Sequence, residues 1–225
     1  MITLRVIVFA FGFLVVLATF ASSVRTVILP RGTPARLART VFLLMRSLFN
    51  IRIGSGASYE RRDRIMAIYA PLSLLSLLAA WLLLILGGYV AIFWARHPHS
   101  LREAFALSGS SLLTMGFQPP ASAPDTALVV SEALFGLVEL AMLIGYLPSI
   151  YGAFSRREAL ITKLEVRAGS PPSGVEMLTR FWVLGRLERL AEEVFEQWED
   201  WFVDVQETHV SHPSLAFFRD RKSVV

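Results

Sequence analysis

S-L-R-E-A-F-A-L-S-G-S-S-L-L-T-M-G-F-Q-P-P, residues 100–120, lies between two long apolar segments, Ile65–Ala95 and Thr126–Phe154. It is too short and too polar to cross a bilayer, which takes about 20 apolar residues of helix. Its first half carries a helix start. Ser100 and Glu103 stand in the S-x-x-E capping-box spacing, in which each side chain satisfies an orphan N–H at the helix start. A helix from Leu101 to Leu113 is about 20 Å long at 1.5 Å per residue, which reaches roughly half-way into a hydrocarbon layer about 30 Å thick. The spacing predicts a short helix that dips into the membrane from outside, turns at Gly116 and climbs back out.

The C-terminal end of such a helix carries partial negative charge and favours a cation at its tip. Non-helical backbone at that depth is tolerated only where it is buried in protein or lines a wet cavity. Thr114-Met115-Gly116-Phe117 is the expected stretch of such backbone. Thr114 offers a hydroxyl and a carbonyl. Gly116 permits the left-handed angles that turn successive carbonyls toward one axis.

Membrane helix, short helix, T-M-G-F, membrane helix: in this order the residues 65–154 resemble the pore unit of potassium channels, whose filter reads T-V-G-Y-G. Thr114, Met115, Gly116 and Phe117 match its first four positions, and Gln118 stands where those channels have a second glycine. A single glycine per pore loop is similar to the degenerate filters of the Trk and Ktr potassium-transport proteins. The resemblance implies an ion filter at Thr114–Phe117, with Ser110, Ser111 and Gln118 beside it and Ser100 and Glu103 capping the pore helix. It also implies a homotetramer and potassium or sodium as the permeant ion. Read without the resemblance, the same residues are an extracellular loop rich in small side chains.

Composition frames this reading. The chain has 225 residues, 54% of them hydrophobic and 18% charged, with no cysteine, so disulfides and thiolate metal sites are excluded. The net charge of +4 does not point to nucleic acid. Much of the excess lies between the first two apolar segments, where anionic inner-leaflet lipid is the nearer partner.

Val6–Val24 is apolar and long enough to span. A cleaved signal peptide is the rival reading, since Arg5 precedes the segment and Ala21-Ser22-Ser23 follows it. Arg25, Arg31, Arg36, Arg39, Arg46, Arg52, Arg61, Arg62 and Arg64 come next, opposed only by Glu60 and Asp63. By the positive-inside rule this loop is cytoplasmic. The N-terminus is then outside, and residues 1–28 stay as a membrane anchor. Residues 29–64 form the basic loop. Within it Pro34–Asn50 reads as a helix with Arg36, Arg39 and Arg46 on one side and Leu37, Val41, Leu44 and Leu48 on the other. It is either an interfacial helix or an amphipathic helix packed on the protein itself.

Ile65–Ala95 is the second span. Pro71 is a possible kink, Gly87 and Gly88 allow close approach of another helix, and Trp81 and Trp94 are candidate belt residues, Trp81 lying deep for that role. Its in-to-out direction delivers residues 100–120 to the outside. His97 and His99 read as a solvated turn. Asp125 helps start the third span, Thr126–Phe154, which carries Glu132 and Glu139. Seven residues apart, they share one helical face, and intramembrane acids usually face a bundle interior or water. They are possible conduit acids or buried structural ones. Gly145 and Pro148 suit either a gate bend or packing.

Residues 155–225 form the cytoplasmic helical region. The helix continues to Val166, a Gly-, Pro- and Ser-rich linker follows at 167–174, and Val175–Gln206 reads as one long amphipathic helix. Leu184, Leu187, Ala191, Val194, Trp198, Trp201 and Val205 form a heptad seam widened by Phe195 and Phe202, with Glu192, Glu193, Glu196, Glu199 and Asp200 opposite. So many acids disfavour a membrane surface and favour a protein partner. His209 and His212 do not amount to a metal site. The chain stops at R-K-S-V-V, and the expectation is that a longer protein continues there.

The expected fold is an all-α membrane protein. It has three transmembrane helices, a re-entrant pore helix, an interfacial amphipathic helix and a cytoplasmic C-terminal helix. No nucleophile–base pair, phosphate-cradling loop or metal motif appears, so no enzyme activity and no cofactor are expected. Two functions fit. One is a passive cation channel subunit, multi-pass in the cell membrane. The other is a non-conducting membrane protein that keeps the pore-like fold and acts as an assembly or signalling partner through its cytoplasmic helix.

Overall fold

A computed structural model of the chain describes residues 2–29, 36–53, 68–96, 100–169 and 173–211. Helix accounts for 88% of these, with no strand among the described residues. In chain order the helices are α1 (Ile2–Val27), α2 (Arg36–Ile53), α3 (Tyr69–Arg96), α4 (Leu101–Leu112), α5 (Ala123–Ala168), α6 (Gly174–Val183) and α7 (Glu196–Ser211), with a π-helical turn, Ala191–Phe195, leading into α7. Three segments are long and apolar enough to cross a membrane: Ile2–Val27, Pro71–Arg96 and Ala123–Ala168. The arginines at 31, 61, 62 and 64 and the histidines at 97, 99 and 212 lie outside the described residues. The chain divides into two compact units, Met1–Tyr146 and Leu147–Val225.

In the first unit, α1 buries one stripe, Gly12, Val16, Thr19 and Ser23, and leaves Val6, Ile7, Phe11 and Leu14 exposed. Steps of four, three and four residues keep one face of a 3.6-residue helix inward. That stripe meets α3 at a backbone-to-backbone crossing. A Cβ on Gly12 would lie 2.5 Å from the carbonyl oxygen of Gly88, and one on Gly88 would lie 2.6 Å from Val16 Cγ2 and 2.9 Å from the Gly12 oxygen. Of the two α3 glycines expected to allow close approach, Gly88 is the one at the contact, since a Cβ on Gly87 meets nothing within 4 Å. The partner glycine, Gly12, sits in an apolar run where nothing in the pattern marks it. Gly88→Val should therefore destabilise the subunit by about 1–3 kcal/mol through overpacking, whereas Gly87→Val should change little. Thermal denaturation of the two detergent-solubilised variants checks this.

Helix α3 is the centre of this unit. Leu74, Leu77, Trp81, Ile85, Tyr89 and Ile92 are all buried along one stripe. Trp81 is 1% exposed with its Nε1 lacking a hydrogen-bond partner, so it is a core residue rather than a belt residue. Pro71 lies in the first turn of α3, where a missing N–H costs nothing, and there it begins the helix instead of kinking it. Helix α2 packs its Ala38–Phe42 side on α3, and the Tyr69 hydroxyl donates to the Phe42 carbonyl at 2.8 Å. Arg36, Arg39 and Arg46 are exposed, as are Leu44, Leu48 and Ile51.

In the second unit the expected single helix over Val175–Gln206 is broken. Helix α6 is capped by Ser173, whose Oγ accepts from the Glu176 N–H, and it ends at Val183. Gly185 then takes φ +63°, its N–H donates to the Trp182 carbonyl, and the Arg186 N–H donates to Phe181. This is the glycine-terminated helix end that satisfies the last carbonyls. A single glycine in a helical pattern reads as tolerable until its backbone is seen left-handed. Phe181, Leu190 and Val194 are buried together with Met177 and Trp198 against them, while Leu184 and Leu187 are exposed. The seam survives only in its second half.

Candidate functional site

The site is built around α4. The Ser100 Oγ accepts from the Glu103 N–H at 3.3 Å, so the cap stands where the spacing placed it. One turn from the other end, Ser108 and Ser111 face α5. The Ser108 hydroxyl contacts the Glu132 carboxyl and lies 3.2 Å from the Leu86 carbonyl of α3, and the Ser111 hydroxyl donates to the Val129 carbonyl at 2.6 Å. Beside them α5 offers Gly136, where a Cβ would lie 2.6 Å from the Leu112 carbonyl oxygen. The last turn of α4 therefore rests directly on the backbone of α5. The Tyr89 hydroxyl, 2.7 Å from Ser131 Oγ, adds a second polar tie between α3 and α5.

Beyond α4, Ser110 organises the turn. Its carbonyl accepts from the Met115 N–H (2.8 Å) and the Gly116 N–H (3.3 Å), and its hydroxyl accepts from the Gln118 N–H (3.1 Å). The Thr114 N–H donates to the Ser111 carbonyl at 2.9 Å. The N–H groups of residues 114, 115, 116 and 118 are thus spent on the end of α4. Among the described residues no donor reaches the carbonyls of Thr114, Met115, Gly116 or Phe117. The backbone is left-handed at alternate positions, φ +54° at Thr114 and φ +67° at Gly116. At Thr114 that conformation costs about 1–2 kcal/mol, and such strain clusters at functional sites. The side chains of Leu113, Met115 and Phe117 are exposed, at 55%, 64% and 60%.

At the base of the loop, Arg96 at the end of α3 donates from Nε to Asp125 Oδ1 at 2.7 Å, and the Ser122 hydroxyl also meets the Asp125 carboxyl. Asp125 is 1% exposed. This ion pair joins α3 and α5 across residues 97–124, and so ties the two ends of that segment.

The two acids of α5 do not line an open surface. Glu132 and Glu139 are both 0% exposed. Glu132 is bonded behind α4 through Ser108, and Glu139 Oε1 accepts from the Ser23 hydroxyl of α1 at 2.7 Å. In this structure one acid is bonded to α4 and the other to α1. Ser108 and Ser23 were not singled out by the sequence pattern. The signal that could have found Ser108 is its place one turn before Leu112, on the face that the spacing of Ser111 defines. Ser23 had none, because its partner is 116 residues away.

No family model, no curated protein and no solved structure matches this chain.

Proposed function

We propose that the chain is a cation channel subunit, in which four copies bring Thr114–Phe117 around one axis as a carbonyl-lined filter. The observation that carries this reading is the one-sided bonding of the turn. The N–H groups of Thr114, Met115 and Gly116 point back to Ser110 and Ser111, while among the described residues no donor reaches the carbonyls of 114–117. Such oxygens can replace an ion's hydration shell. The exposed Leu113, Met115 and Phe117 are apolar surface that neighbouring copies would cover. The short length of α4 and the negative end of its dipole support entry from outside with the tip near the bilayer centre. The arginines of residues 25–64 support a cytoplasmic basic loop that meets anionic inner-leaflet lipid, with α2 in the interface. On that topology the N-terminus is outside and the C-terminal unit is cytoplasmic. Potassium is the expected ion by resemblance alone.

One observation favours the non-conducting reading. Gln118 stands where the potassium-channel filter has its second glycine, and its N–H is tied to Ser110 Oγ at 3.1 Å. A flux assay decides between the two readings. Purified protein in vesicles with a potassium gradient should carry cation flux, with a reversal potential in mixed potassium and sodium salts that follows the potassium gradient. No flux at any voltage or pH would replace the channel with the assembly protein.

A further inference from the structure

The second unit presents two unlike faces to solvent. On one, Leu178 and Trp182 of α6 continue into Val183, Leu184 and Leu187 of the turn, all exposed, with Trp182 at 72%. These are not spare core residues, since the core of this unit is made by Phe181, Leu190 and Val194 on the other side. Arg186 and Arg189 are exposed within the same stretch, with one exposed carboxylate, Glu188, between them, so that arginine is in excess. From the end of the π-helical turn into α7, Phe195, Glu199 and Phe202 follow one another at steps of four and three residues, and all are exposed together with Glu196 and Val203. One face is apolar and basic, and the other is apolar and acidic.

Neither face suits pairing with its own copy. A self-pairing of the first would bring four arginines against two carboxylates, counting Arg186, Glu188 and Arg189 of each copy, and the second would set carboxylates against carboxylates. Like charges directly opposed reject such partners. Each face does complement the other. A contact between two different faces of identical chains is head-to-tail, and it closes into a ring when the rotation permits.

We propose that the Trp182–Arg189 face of one copy docks on the Phe195–Val203 face of α7 in the next copy, so that the C-terminal units form a closed head-to-tail ring. This rests on the four-copy reading above, which tethers four such units at the end of α5 and gives them a high effective concentration. The partner is a second copy of this chain, recognised by guanidinium–carboxylate pairs around an aromatic centre.

The chain has no cysteine, so positions can be cross-linked without background. In membranes, a variant with both Leu184→Cys and Phe202→Cys, treated with a short bifunctional maleimide, should give a ladder of two, three and four subunits. Leu184→Cys alone and Phe202→Cys alone should remain single bands. Arg186→Glu with Arg189→Glu should reduce the ladder about tenfold, and adding Glu196→Arg with Glu199→Arg should restore it. All these side chains are exposed, so the variants keep their fold. A strong dimer from either single-cysteine variant, or no ladder from the double one, overturns the proposal. Cation flux measured in the same preparation separates the two ideas. Flux without a ladder removes the ring and leaves the channel, and a four-step ladder without flux keeps the ring and removes the channel.

Discussion

Gly116→Ala should lower cation flux by more than about tenfold while leaving the assembled protein intact. The reason is conformational, not steric. A Cβ at Gly116 would meet nothing within 4 Å, yet the residue stands at φ +67°, where any L side chain is strained by about 1–2 kcal/mol. The cheapest relief is rotation of the 115–116 peptide, which swings a filter carbonyl off the axis. In the proposed four-copy filter the change would be carried four times, and about 1.4 kcal/mol is already a factor of ten. Gly109→Ala is the matched control, since that glycine lies inside α4 with open space around it. It should conduct like the parent. The two variants are compared by flux in vesicles and by size-exclusion profile. Undiminished flux in Gly116→Ala with an unchanged profile would remove Thr114–Phe117 from the conduction path.

Glu132→Ala should cost about 2–5 kcal/mol of subunit stability. Truncation empties a fully buried position and takes away the carboxyl that Ser108 contacts. Because Ser108 is one turn from the end of α4, loss of this tie frees the turn that Ser110 holds. Glu132→Gln keeps the shape and an oxygen for the serine, and should retain assembly and flux to within about threefold. The readouts are thermal stability of the solubilised protein and flux at equal incorporated protein. If Glu132→Gln assembles normally and yet conducts nothing, the negative charge acts on ions directly and the positioning role is wrong.

Local rules carried much of the architecture. Uninterrupted apolar length marks the three candidate spans, since a bilayer demands it of any helix that crosses. The Ser100 cap and the left-handed Gly116 follow from chemistry within four residues of each position. The shared face of Glu132 and Glu139 follows from helical periodicity alone. Their partners did not follow from it. Whether an acid on that face meets a conduit, Ser108 or Ser23 depends on which helix lies opposite, and that is set by contacts between segments distant in the chain.

The amino-acid order by itself determined an all-helical chain with three segments able to span a membrane, a short capped helix between the second and third, and an arginine-rich connection after the first. Each of these is dictated within one or two helical turns. Tertiary structure alone decided that Gly12 and Gly88 form the crossing of α1 and α3 and that Gly136 admits the end of α4. It also decided that residues 175–206 fold as two helices about Gly185. A glycine in a helical pattern has the same local cost whether it admits a neighbour, turns the backbone or faces open space. Only the atoms brought against it distinguish these cases.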